Sequence, residues 1–251
     1  MAGLTRGSIK TRLGRTIDLT RLGLGTAPLG NIYAPIPEPQ AQATLQAAWD
    51  AGLRLYDTAP LYGLGLSETR LNHFLRGRPR AEYVLASKVG RLLRRRPPGT
   101  LPERTHYFDT PYREVAFDYS YDGVMRSVED SLERLGIDRF DILYAHDLGA
   151  DTHGSRDASD HRLREFLDGG YRALDELRRS GVVDAIGTGC NEWEVCEALA
   201  KAADIDVVLL AGRYTLLEQG AIESFLLVCE TRGIAVIVGG PFNSGILAGG
   251  A

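Results

Sequence analysis

The chain is 251 residues long, 44% apolar and 25% charged, with a formal net charge of −4. It can bury a full core as one large α/β domain or two smaller ones, and its charge gives no general attraction to nucleic acid or to an anionic membrane. No run approaches the roughly 18 apolar residues of a membrane helix, and MAGLTRGSIK lacks the apolar stretch of a signal peptide, so a cytoplasmic address is expected.

In chain order, SIKTRLGRTIDL alternates around Gly14 and predicts a small hairpin. Apolar runs beginning near Leu22, Leu53, Tyr83, Phe140, Val182, Asp206 and Ile234 predict seven strands, each but the last followed by a helical pattern. Between them, Val124, Val128, Leu132 and Leu135 form one apolar stripe closed by Gly136, and His161 to Ser180 repeats the pattern up to Gly181. Ser67 followed by Glu68 suits a helix N-terminus. Strands alternating with helices imply a parallel sheet, and no Pro/Gly linker or repeat divides it, so residues 1–251 are expected to form a single domain. Cys190, Cys196 and Cys229 have neither CxxC spacing nor a histidine cluster, and read as reduced thiols with no metal.

Two long connections interrupt the rhythm: RLLRRRPPGTLPERTHYFDTPYREVAFDYSYD from Arg91, and GADTHGSRDASDH after His146 and Asp147. Each reads either as a solvated loop or as a lid, pocket wall or subunit contact. Arg91, Arg94, Arg95 and Arg96 could meet an anion, although such a charge run is more often solvated.

Four residues carry chemistry. Asp57, Lys88 and His146 close the runs LRLYD, YVLASK and DILYAH, and Tyr62 lies five residues beyond Asp57. Catalytic groups of parallel α/β folds sit where strands end, so an acid, a phenol, an amine and an imidazole would converge on one mouth as an acid/base site. Taken singly, each has a bland reading: a turn aspartate, a packing tyrosine, a surface lysine, a core histidine.

These residues and the blocks LGLGTAPLG, LYDTAPLYGLGLSE, ASKVG, DGVMRSVEDSLERLGIDRFDILYAHD, AIGTGCNEWE, RYTLLEQ and GGPFNSGIL resemble the aldo-keto reductase superfamily. Within it the chain is similar to the D-threo-aldose (L-fucose) and pyridoxal dehydrogenase branch. The resemblance implies a TIM-type (β/α)8 barrel that uses NAD or NADP to interconvert a small-molecule carbonyl and alcohol. It further implies Tyr62 as general acid/base, Lys88 as its activator, Asp57 as the partner of Lys88 and a neutral His146 that orients substrate. Because free tyrosine titrates near pH 10, a Lys88 ammonium would be expected to lower the Tyr62 pKa. Implied cofactor contacts are Gly25, Thr26, Asp57, Asn191 and the loop Gly240 to Ser244 with Phe242; implied substrate contacts are Tyr33 and Asp147.

The chain departs from the family pattern at Cys190, where serine is common, at Ala211, where glutamine is frequent, and at Gly239, where some members carry tyrosine. Asp147 replaces a frequent tryptophan, which suggests a pocket for hydroxyls. It would leave a carboxylate without partners against an apolar substrate. Gly249-Gly250-Ala251 follows the seventh strand, so the eighth strand and C-terminal helices, with much of what selects NAD over NADP, are expected to be absent from the chain. Three rival readings are weaker. A dinucleotide-binding G-x-G-x-x-G fails because Gly23 and Gly25 are followed by Pro28, a Schiff-base aldolase on Lys88 leaves the other three residues unexplained, and a non-catalytic cofactor-binding module must ignore all four.

Overall fold

The computed structural model describes residues 4–97 and 106–249. The expected hairpin comes first, β1 (Arg6–Lys10) pairing antiparallel with β2 (Thr16–Thr20). Then follow β3 (Leu24–Gly25), β4 (Leu55–Asp57) and β5 (Val84–Val89), a second antiparallel hairpin of β6 (Arg91–Arg95) and β7 (Arg113–Phe117), and β8 (Phe140–His146), β9 (Val183–Cys190), β10 (Val207–Ala211) and β11 (Ala235–Gly239). Strands β3, β4, β5, β8, β9, β10 and β11 pair in that order, all parallel. The seven apolar runs thus form the seven staves of a nearly closed β/α barrel, with β3 and β11 as the edges among the described residues.

Helices in the connections cover its outer face. Tyr121–Leu135 shows why they form: Val124, Val128 and Leu135 are buried on one stripe, the Ser120 hydroxyl accepts the Gly123 N–H at 3.1 Å, and Gly136 closes the helix at φ 65°. Leu85, Leu143 and Ile186 from the strands join these helix residues in the main core. Their neighbours in sequence point the other way. Leu55, Val84, Ala86, Ile142, Tyr144, Ala185, Val207 and Leu209 fill the barrel interior, where Ile9, Ile17 and Leu19 of the first hairpin pack against them as a floor. Strand side chains alternate, so Asp57, Lys88 and His146, two residues beyond Leu55, Ala86 and Tyr144, form the uppermost inward layer at the C-terminal ends.

Several local expectations are corrected. Ser67 does not cap its helix: Leu66–Leu75 starts one residue earlier, after Gly65 at φ 93°, and the buried Ser67 hydroxyl instead bonds the Thr26 carbonyl at 3.0 Å and the Thr26 hydroxyl at 2.8 Å. The helix expected from His161 begins at Arg156, capped by Ser155, and passes through a wider π turn at Phe166–Gly170 before Tyr171–Ser180. The connection after His146 carries a short helix, Ala150–His153, as well as the start of this longer one. The connection from Arg91 is no plain loop either, because its two ends pair as β6 and β7; its residues 98–105 lie outside the described residues. Cys190, Cys196 and Cys229 are buried free thiols. Among the described residues no helix is long and apolar enough to cross a membrane, and no group of His, Cys, Asp or Glu could hold a metal ion.

Candidate active site

Lys88 organises the mouth. Its side chain is 2% exposed, and its Nζ donates to Asp57 Oδ1 at 2.6 Å, to the Thr58 carbonyl at 2.9 Å and to the Tyr62 hydroxyl at 3.0 Å. An ammonium has three protons, and all three are used. β9 presents Gly189 beside it, where a Cβ would stand in ordinary contact 3.5 Å from Lys88 Cε. Burial works against the lysine charge, but Asp57 and Tyr62 overcome it and hold the ammonium above the ordinary lysine range. Burial also pushes the Asp57 carboxyl up while Lys88 pulls it down, and the 2.6 Å contact is that of an ion pair. Asp57 Oδ2 is buried without a partner.

Tyr62 reaches this cluster from the turn after β4. The turn lies so close to the preceding loop that a Cβ on Gly63 would meet the Gly30 carbonyl oxygen at 2.5 Å, and one on Gly30 would meet the Gly63 nitrogen at 2.5 Å. Two glycines back to back therefore seat the phenol. The expected lowering of its pKa is overturned in this site: burial raises it by more than Lys88 lowers it, and Asp57 adds to the rise. Tyr62 is accordingly a neutral phenol here, a proton donor.

His146 completes the quartet, with its ring 6.0 Å from that of Tyr62 at 87°. It is 4% exposed, and burial, then Arg91 and Lys88, hold its pKa well below the ordinary value, so the ring is neutral as expected. Its Nε2 lies 3.3 Å from Asp147 Oδ2, while Nδ1 is buried with no partner among the described residues. All four sequence-predicted residues thus meet at one rim.

Asp147 adopts the left-handed backbone at φ 51°, and its Oδ2 accepts from Arg91 Nη2 at 2.5 Å. The expectation that this carboxylate depends on substrate for partners is therefore wrong. Among the four arginines read as possible anion binders, Arg91 meets an anion within its own chain, placed there because β6 begins directly after the Gly90 turn. Two tyrosines escaped the sequence reading. Tyr119, wholly buried, donates its hydroxyl to the His146 carbonyl at 2.6 Å, and Gly90, at φ 95°, leaves room for its ring, which a Cβ would meet at 2.1 Å. Tyr107, its pKa raised by burial and then by Tyr62, lies within electrostatic reach of Arg91 and Asp147. The Gly90-x28-Tyr119 pairing has no local signature, so only the fold could reveal it.

Tyr33, 70% exposed, stands on the same rim, and its backbone N–H donates to the His106 carbonyl at 2.9 Å. Gly25, Asn191, Gly240, Phe242 and Ser244 are exposed near the ends of β3, β9 and β11. Gly25 has open space where a Cβ would stand, and Gly240 and Ser244 turn their backbone at φ 58° and 56°. Such glycine-rich, left-handed backbone at strand ends offers N–H groups to a phosphate. The Thr26 side chain is fully buried, with its hydroxyl donating to the Asp57 carbonyl at 2.8 Å and accepting from Ser67, so Thr26, like Gly25, has only its backbone to offer a ligand. The rim suits a nicotinamide dinucleotide.

The family model of the aldo/keto reductase family matches residues 21–251. Curated relatives include the pyridoxal 4-dehydrogenase of Microbacterium luteolum, 46% identical over 97% of this chain and 73% of that protein. The D-threo-aldose 1-dehydrogenase of a Pseudomonas species is 43% identical over 92% of this chain and 68% of its own length. Among solved structures, the holo form of an aldo-keto reductase from Bacillus halodurans matches with a TM-score of 0.74 at 25% identity, covering 98% of this chain and 69% of that one.

Proposed function

We propose, from the premise that the chain belongs to the aldo/keto reductase family, that its mouth interconverts a carbonyl and an alcohol with a nicotinamide cofactor. The observation that carries this reading is the triple bond set of Lys88, which joins a buried carboxylate to a phenol beside a neutral imidazole. Tyr62, kept protonated by burial, gives its proton to the carbonyl oxygen in reduction, and in oxidation the alcohol hydroxyl returns a proton to the Tyr62 phenolate oxygen. Lys88 stabilises the phenolate formed at that moment, when the proton has left and the 3.0 Å contact becomes an ion pair. Asp57 keeps the lysine charged and placed, while His146 hydrogen-bonds the substrate oxygen and orients it.

A bound nicotinamide supplies or accepts the hydride. Gly25, Asn191, Gly240, Phe242 and Ser244 are the residues we assign to hold it, with Asp57 beneath. Tyr33 and Asp147 are assigned to substrate. The names of the two relatives support an aldose or a pyridoxal-like carbonyl, and a carboxylate with four acceptor sites can still take a hydroxyl while Arg91 holds one of its oxygens. The reading extends to a single domain over residues 1–251 and a cytoplasmic setting, where free thiols such as Cys190 persist. A Schiff-base aldolase is disfavoured because Lys88 is held as an ammonium, without the lone pair a nucleophile needs.

The test follows the absorbance of NADH and NADPH with an aldose and with pyridoxal, for wild type and Tyr62→Phe. Turnover in the variant should fall by roughly 10²–10⁴-fold with cofactor affinity retained. Near wild-type turnover would remove Tyr62 from its role.

A further inference from the structure

Arg91 takes no proton-transfer step in the scheme above, yet its contact with Asp147 is as close as the 2.6 Å Lys88–Asp57 pair of the catalytic cluster. Its Nη2 lies 2.5 Å from Asp147 Oδ2 and 3.4 Å from the Thr152 hydroxyl, its guanidinium sits 5.1 Å over the Phe117 ring, and its side chain is 11% exposed. The same oxygen, Asp147 Oδ2, stands 3.3 Å from His146 Nε2. The Asp147 main chain is held on both sides. Its N–H donates to the Gly189 carbonyl at 2.9 Å, and its own carbonyl lies 3.2 Å from the Tyr119 hydroxyl that donates to it and 3.1 Å from His153 Nε2.

A neutral imidazole carries one proton, on Nδ1 or on Nε2. Among the described residues nothing binds His146 Nδ1, so no partner there chooses between the tautomers. The choice falls to Asp147. An ionised carboxylate beside Nε2 repels a lone pair and attracts an N–H, and so fixes the proton on Nε2.

We propose that Arg91 is a positioning residue that, by holding Asp147 as a carboxylate turned onto His146, locks the imidazole in its Nε2–H tautomer. The inference deepens the assignment of His146 as the group that donates a hydrogen bond to the substrate oxygen: at 3.3 Å, Asp147 Oδ2 biases where the proton sits without making a hydrogen bond to Nε2, which leaves that N–H to substrate. Burial drives the Asp147 carboxyl towards protonation, and Arg91 is first among the groups that oppose this, ahead of Lys88. Without Arg91 the acid takes up a proton. It then presents an O–H to Nε2, which is satisfied by a lone pair there, and the imidazole proton moves to Nδ1. Tyr62, Lys88, Tyr119, Tyr107 and His153 also border this space and stay in place in every variant below.

The test reads the ring directly, by 15N NMR of histidine-labelled protein without cofactor, with the His146 signals assigned through His146→Gln. Wild type should show Nε2 protonated and Nδ1 bare at neutral pH. Arg91→Met should move the proton to Nδ1, and Arg91→Lys should keep it on Nε2. Asp147→Leu, a second route to the same end, should lose the preference even if Arg91→Met does not fold. In turnover, Arg91→Met should lower kcat by roughly 10²-fold, the scale of losing one donor to the reacting oxygen, with KM for cofactor unchanged and Arg91→Lys recovering most of the loss. A wild-type ring protonated on Nδ1, or an Nε2–H ring that survives both Arg91→Met and Asp147→Leu, overturns the lock. If the tautomer shifts as stated but wild type turns over no carbonyl, the lock stands and the functional reading falls.

Discussion

The ion pair beneath the phenol can be weighed by removing it one side at a time. Lys88→Met keeps most of the side-chain volume but strips Asp57 Oδ1 of its 2.6 Å partner, the Thr58 carbonyl of its donor and the Tyr62 hydroxyl of its neighbour. Breaking one side of a buried pair costs about 3–5 kcal/mol, and this pair is 2% and 18% exposed. Asp57→Asn leaves a buried ammonium with neutral acceptors only and should cost a similar amount. Removing both leaves no orphaned charge, so Lys88→Met/Asp57→Asn should be more stable than the sum of its parts by at least ~2 kcal/mol.

The pH dependence has a definite sign. In Lys88→Met nothing opposes the burial that raises the folded-state pKa of Asp57, so the folded form binds a proton more tightly than the unfolded chain. The Asp57 contribution is then fully present below the unfolded carboxyl pKa of about 3.9 and is lost as pH rises through the folded value. The gap between wild type and variant should therefore widen as pH rises above about 4, and the double variant should abolish that widening. Urea unfolding followed by the fluorescence of Trp49 and Trp193 measures all four proteins. Additivity of the two substitutions within about 0.5 kcal/mol, or a pH-independent loss, would refute the argument.

Gly90→Ala places a methyl 2.1 Å from the Tyr119 ring on a backbone at φ 95°, so it should destabilise by at least 1–3 kcal/mol, roughly, and thermal unfolding would reveal this. An unchanged Tm would mean that Tyr119 can leave its place under His146. For substrate, kcat/KM should favour a D-threo-aldose or pyridoxal over a medium-chain aliphatic aldehyde, and Asp147→Leu should narrow that preference; an unchanged ranking led by the aliphatic aldehyde would exclude a hydroxyl-reading role for Asp147.

What could be read from the chain was what repeats at short range. The seven strands were visible because each is a short apolar run, and Asp57, Lys88 and His146 because each closes one. Alternation from Leu55, Ala86 and Tyr144 then requires all three to face inward. Arg91 was legible as a charge but not as a partner, since its contact with Asp147 crosses 56 residues and depends on a hairpin whose strands lack clean alternation. Tyr119 was hidden for the same reason. The direction of the Tyr62 pKa was misjudged because a sequence displays the neighbouring charge and not the depth of burial that outweighs it. Ser67 looked like a cap because its residue type suits one, yet the hydroxyl serves the Thr26 loop instead.

The three bonds of Lys88 carry one more implication, about shape. A carboxylate, a carbonyl and a phenol lie around its nitrogen in different directions, as three legs around a tetrahedral head. Arginine would bring the same charge on a flat fork, unable to aim three protons out of its plane. The alphabet of twenty holds one cation that is three-pronged at its tip, so at this position charge can be conserved by substitution while geometry cannot.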